Sequence, residues 1–91
     1  MPPGRAWLGV GVVNGILYAV GGDQNGCGCS VGNVEAYDPL TNSWTAKVPM
    51  PTPREGLGVS ALNGVLYAVG GLGVSYGDGV RLLDTVEAYH P

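Results

Sequence analysis

Cys27 and Cys29, with one residue between them, are the densest soft-ligand chemistry in the chain. Two thiolates supply half of the four ligands that a structural zinc normally takes. The one histidine, His90, stands at the far end of the sequence and does not complete the set. A disulfide between residues so close would be strained. Ordinary loop cysteines are therefore expected, with no metal site and no cofactor. Gly56-Leu57-Gly58-Val59-Ser60-Ala61 spells the glycine fingerprint of dinucleotide-binding proteins if alanine is allowed last. That motif works by bringing a pyrophosphate to a helix N-terminus. Here Asn63-Gly64 and another apolar run follow, so no helix is available and these read as strand glycines. No two carboxylates stand out as an acid and a base, and no catalytic residue is expected.

The elements that would have to position any such chemistry are limited by size. Ninety-one residues allow one small domain. Hydrophobic residues make up 45% and charged ones 12%, which excludes a polar disordered tail. Seventeen glycines and seven prolines would suggest low complexity unless the glycines are periodic. Four basic against seven acidic side chains leave a net charge of −3, the wrong balance for a nucleic-acid or anionic-membrane surface.

The glycines are periodic. Met1–Gly22 (MPPGRAWLGVGVVNGILYAVGG) aligns with Met50–Gly71 (MPTPREGLGVSALNGVLYAVGG) at 14 of 22 positions. A second block, Val34–Pro39 (VEAYDP), matches Val86–Pro91 (VEAYHP) with three residues more between the copies. The extra length falls between the double glycine and this block, where Asp23–Asn33 answers to Leu72–Thr85. A constant frame with one elastic segment is a repeat carrying a surface loop, and a period near 50 residues belongs to β-propeller blades. Repetition also explains the uncharged runs Ala6–Gly22 and Gly56–Gly77, which resemble a signal peptide or a membrane span. Each has Asn-Gly at its centre and reads as a buried hairpin.

Leu8–Val13 and Ile16–Val20 flank Asn14-Gly15, and Leu57–Leu62 and Val65–Val69 flank Asn63-Gly64. Apolar runs joined by Asn-Gly are the strongest short-range hairpin signal, because both central residues of a type I′ turn need positive φ. Near-continuous apolar character predicts sheets buried on both faces. Val34–Tyr37 and Ser43–Val48 complete four strands around the turn Asp38–Asn42, and Pro49, Pro51 and Pro53 close the unit. No helix is expected.

A strand ending in Gly21-Gly22, then Tyr37 and Trp44, with an Arg5 opener and an Asn-Gly hairpin, resembles the kelch repeat. The second copy supplies Arg54, Asn63-Gly64, Gly70-Gly71 and Tyr89. The resemblance implies an all-β chain of β-propeller blades, each of four antiparallel strands. Residues 1–49 would form one complete blade. Residues 50–91 would form three strands of a second whose outer strand is missing. The end faces, with residues such as Leu8, Val10, Val12, Leu17, Leu57, Val59 and Leu66, are those that adjacent blades would cover. The resemblance further implies a protein–protein interaction module, a fragment of a longer propeller rather than an enzyme, and the cytoplasm is the default location because neither uncharged run reads as a signal. Such propellers include the substrate-recognition ends of ubiquitin-ligase adaptors that carry a BTB domain. The alternative is a fragment of a kelch-fold enzyme of the galactose-oxidase or sialic-acid-isomerase type. Self-association is expected if the chain is expressed alone.

Arg5 and Arg54 occupy one repeat position, and Glu35 and Glu87 another. Charges needed in every blade are architectural, so they are expected to make hydrogen bonds within or between blades. Positions that differ between copies are free of that demand. These are the residues after each arginine, Ala6-Trp7 and Glu55-Gly56, and the loops Asp23–Asn33 and Leu72–Leu83. The partner-binding candidates are therefore Ala6, Trp7, Glu55, Gly56, Tyr76, Asp78 and Arg81. The partner would be a protein or peptide, with no nucleic acid and no membrane. Trp7 stands out because exposed tryptophans are favoured anchors, although an N-terminal tryptophan could equally cover an open blade face.

Overall fold

Two Asn-Gly turns set the architecture. Asn14 and Gly15 have φ of 52° and 78°, and Asn63 and Gly64 have 53° and 78°. Positive φ at both central positions gives the twist that lets the flanking strands pair. The computed structural model describes residues 5–24, 30–75 and 79–91. Among these, every regular element is a strand: β1 (Arg5–Ala6), β2 (Gly9–Val13), β3 (Ile16–Val20), β4 (Asp23–Gln24), β5 (Val34–Asp38), β6 (Ser43–Lys47), β7 (Gly58–Leu62), β8 (Val65–Val69), β9 (Leu72–Ser75), β10 (Gly79–Leu82) and β11 (Val86–Tyr89).

The first repeat forms a four-stranded antiparallel sheet, in the order β2-β3-β5-β6. The second forms a three-stranded one, β7-β8-β11, with β11 at the edge. One complete blade and three strands of a second are thus present, each meandering outward from its first hairpin. At the β5–β6 turn, Leu40 N donates to Asp38 Oδ1 at 3.0 Å and Asn42 takes φ 53°. The Tyr37 hydroxyl donates to Asn42 Oδ1 at 2.6 Å, and its ring lies 4.9 Å from that of its cross-strand partner Trp44. Tyr37 and Trp44 therefore brace the outer hairpin.

The segments read as elastic loops also hold strands. β4 pairs with the opener β1, and β9 pairs with β10 in a small hairpin. Two-residue ladders leave no periodic signal, so β1–β4 was not legible. The β9–β10 hairpin was legible in principle, since Gly77 and Gly79 separate two apolar stretches.

The blades pack face to face, and glycine decides which faces meet. By register, Gly9, Gly11 and Val13 share a face of blade 1 with Tyr18, Val20, Val34 and Ala36. A β-carbon added at Gly9 would overlap Val59 Cγ2, and one at Gly11 would come within 2.6 Å of Leu66 Cδ2. The missing side chains let β7 and β8 lie close against β2. Leu66 is only 1% exposed, in one core cluster with Tyr18, Val20, Val34, Ala36, Met50 and Ala68. Burying a leucine that fully contributes about 1.5–3 kcal/mol.

This corrects the expectation for the end faces. Leu57, Val59 and Leu66 pack into the seam between the blades. Val10 and Val12 remain outside, at 50% and 56% exposure. The reason is directional: the seam uses the glycine face of one blade and the branched side chains of the other, so the two copies of one position have opposite fates. No helix among the described residues is long and apolar enough to cross a membrane. The two uncharged runs carry the hairpins β2–β3 and β7–β8.

Tyr89 links the blades at their outer margin, its hydroxyl donating to the carbonyl of Val48 at 2.7 Å. Burial, and secondarily the neighbouring Tyr18, raise its phenol above the ordinary value. A raised folded value means the neutral form is favoured in the fold. The contribution is complete below about pH 10 and is lost as pH climbs through the folded value. Denaturant midpoints should fall across that alkaline window, and Tyr89→Phe should flatten the decline. A pH dependence unchanged in the phenylalanine variant would contradict this.

Candidate functional site

Each repeat begins with a buried arginine. Arg5 Nη1 donates to the carbonyls of Gly21 (2.8 Å) and Asn33 (2.9 Å), and Nη2 pairs with Glu35 Oε1 at 2.8 Å. Arg54 repeats the pattern. Its Nη1 donates to the carbonyls of Gly70 and Thr85, both at 2.9 Å, its Nη2 to Thr85 Oγ1 at 2.6 Å, and its Nε to Glu87 Oε1 at 3.1 Å. Both side chains are wholly buried. In each blade the guanidinium spans the end of the second strand and the start of the third, the two ends of the variable loop. It donates to the Gly21 and Gly70 carbonyls and adds a second donor to those of Asn33 and Thr85, which already accept from Gly21 N and Gly70 N, so the charges act within blades.

The double glycines make room for the opener. A β-carbon at Gly22 would stand 2.6 Å from the Ala6 carbonyl, and one at Gly71 would stand 2.7 Å from that of Glu55. Only glycine allows these crossings at φ 105° and 95°. The residues just after each arginine are thereby held over the strand ends.

The structure brings four candidate positions together at that end. Gly56 N donates to the Trp7 carbonyl at 2.7 Å, which sets Ala6-Trp7 beside Glu55-Gly56. Ala6, Trp7 and Gly56 are exposed. Glu55 bridges to Leu72, with backbone hydrogen bonds in both directions at 2.9 and 2.8 Å. Arg81 lies exposed on β10, opposite Gly73 of β9. Tyr76 and Asp78 lie outside the described residues, as do Cys27 and Cys29. No group of three or more metal-ligating side chains is present among the described residues.

Trp7 departs from its repeat partner in an informative way. It is 69% exposed and has φ 61°, and its counterpart Gly56 has φ 62°. A position that glycine fills without strain is filled in the first blade by a bulky aromatic, at a cost of about 1–2 kcal/mol. It does not cover the seam.

Ser30 was missed by sequence reasoning. Its backbone N donates to the Val74 carbonyl, and its hydroxyl accepts from Val74 N, both at 2.8 Å. The same hydroxyl donates to Glu55 Oε1 at 2.9 Å. The loop of blade 1 is thus stitched to the hairpin of blade 2, and Glu55 is partly committed to that stitch. A serine in a loop with no counterpart in the other copy gives no signal of such a role.

Antiparallel blades, one of four strands and one of three, stacked on a glycine face and each locked by an inward arginine, define a repeat of β-propeller type. A family model described as the Kelch motif matches residues 5–51 and 53–91. The chain belongs to the kelch-repeat family and contains two of its repeats.

Proposed function

We propose that the chain is a protein-interaction module whose contact surface is the loop end formed by Ala6, Trp7, Gly56 and Arg81, with Glu55 between them. The observation that carries this reading is Trp7, an exposed aromatic in a left-handed conformation where the other blade has glycine. Backbone strain persists where the surroundings impose it, and it clusters at functional sites. Tryptophan and arginine are residue types that binding hot spots favour. The occupant is a protein or peptide segment with an apolar side chain for the indole. Membership in a kelch adaptor of a ubiquitin ligase is a narrower form of this proposal, and flanking coding sequence would test it.

Trp7→Gly is the decisive substitution, because blade 2 already shows that glycine suits this conformation. Peptides selected from a display library against the chain should lose about 30-fold or more in affinity for the variant, as hot-spot truncation does. Thermal stability should hold or rise. Affinities unchanged by Trp7→Gly would overturn the placement of the surface.

A further inference from the structure

Thr52 is the only serine or threonine in the sequence that is followed by proline. It lies in Met50-Pro51-Thr52-Pro53-Arg54, between β6 and β7, where no strand forms. Pro51 and Pro53 are exposed and Thr52 is half-buried. Proline lacks an amide donor and holds the residue before it extended, so Thr52 stands outside both ladders. Its hydroxyl donates to Glu87 Oε2 at 3.0 Å, and Glu87 Oε1 takes Arg54 Nε at 3.1 Å. One carboxylate thus joins the linker between the blades to the arginine that locks blade 2. The first blade has Pro3 at this repeat position and still forms its Arg5–Glu35 pair at 2.8 Å. The blade does not require a hydroxyl there.

We infer that Thr52 is a phosphorylation site for a proline-directed protein kinase, and that its phosphate releases the arginine lock of blade 2. Such kinases take an extended substrate segment and read the proline that follows the hydroxyl residue. In the transfer, Thr52 Oγ1 attacks the γ-phosphorus of ATP, and the Oγ1–P bond forms as the bond to the ADP oxygen breaks. The hydroxyl proton passes to the kinase's catalytic carboxylate, and ADP leaves. The product has lost the hydrogen that Glu87 accepts, and it sets about 1.5–2 negative charges beside that carboxylate. Arg54 meets Glu87 through Nε, which carries a single hydrogen, so the phosphate reaches that donor only by displacing the carboxylate. Repulsion and displacement both part Glu87 from Arg54 and loosen the entry to β11. The site is separate from the loop end of Trp7, and its test uses no ligand of that surface.

The folded chain, incubated with ATP, magnesium and a purified mitogen-activated protein kinase, should gain one phosphoryl group, placed on Thr52 by mass spectrometry. Thr52→Val should gain none. In the phosphorylated chain, hydrogen exchange of the β11 amides, Val86–Tyr89, should accelerate about tenfold or more over the unmodified chain. That is the factor expected from losing a hydrogen bond to a charged group. Glu87→Gln should shrink the acceleration, because the repulsion needs the carboxylate. Added salt should shrink it in the wild-type chain too, by screening, and reads the same cause should the variant fold poorly. No incorporation into the folded chain would overturn the proposal. So would phosphorylation that Thr52→Val does not abolish, unchanged exchange in β11, or an acceleration that neither Glu87→Gln nor salt diminishes.

Discussion

Replacing Arg54 with methionine should cost about 3–5 kcal/mol, the loss typical of breaking a buried ion pair on one side. Arg54 is 0% exposed and makes four hydrogen bonds, to Glu87, Gly70 and twice to Thr85. Methionine fills much of the volume but leaves the carbonyls of Gly70 and Thr85 without that donor, and the Glu87 carboxylate without its counter-charge. The Thr85 carbonyl keeps Gly70 N as a donor and Glu87 keeps the Thr52 hydroxyl, so the Gly70 carbonyl and the unneutralised carboxylate carry the loss, at about 1–3 kcal/mol for a buried group left unsatisfied. A domain of this size has a total stability of about 5–14 kcal/mol, so the loss is a large share of it. Urea denaturation followed by circular dichroism gives the number. Arg54→Lys should recover little, because one ammonium cannot reach the ends of two strands and the carboxylate together. A methionine variant within about 0.5 kcal/mol of wild type, the range of surface substitutions, would show that the arginine is not the clasp of its blade.

Gly9→Ala and Gly58→Ala should behave oppositely, although they are the same change at the same repeat position. At Gly9 the new methyl overlaps Val59, and overpacking of this kind costs about 1–3 kcal/mol. At Gly58 the methyl enters open space in an ordinary strand conformation. That substitution should be neutral, or stabilising by up to about 1 kcal/mol through the unfolded chain. Val59→Ala in the Gly9→Ala background should return part of the loss, as expected for residues in contact. Equal effects at the two glycines would mean that the blades do not pack on this face.

Much of the blade was legible in the residues. Asn14-Gly15 and Asn63-Gly64 dictate their hairpins locally, so Ile16–Val20 and Val65–Val69 emerge with the expected bounds. Arg5 and Glu35 recurred as Arg54 and Glu87, and that recurrence marked them as structural. The fate of Val59 and Leu66 was not legible, because their repeat partners Val10 and Leu17 have similar side chains. Which copy is buried depends on which blade lies on which side, and periodicity is blind to that. Trp7 could be flagged by type, but its left-handed backbone could not. Ser30 reaches across blades through a contact that no local pattern encodes.

The central claim is that the glycine face of blade 1 closes on the branched side chains of blade 2. Nuclear Overhauser measurements on a dilute, uniformly labelled sample test it most directly. Cross-peaks are expected from the α-protons of Gly9 to the Val59 methyls, and from those of Gly11 to the Leu66 methyls. Absence of both, with the cross-strand contacts of β2 with β3 and of β7 with β8 intact, would show two blades that fold without packing and would contradict it.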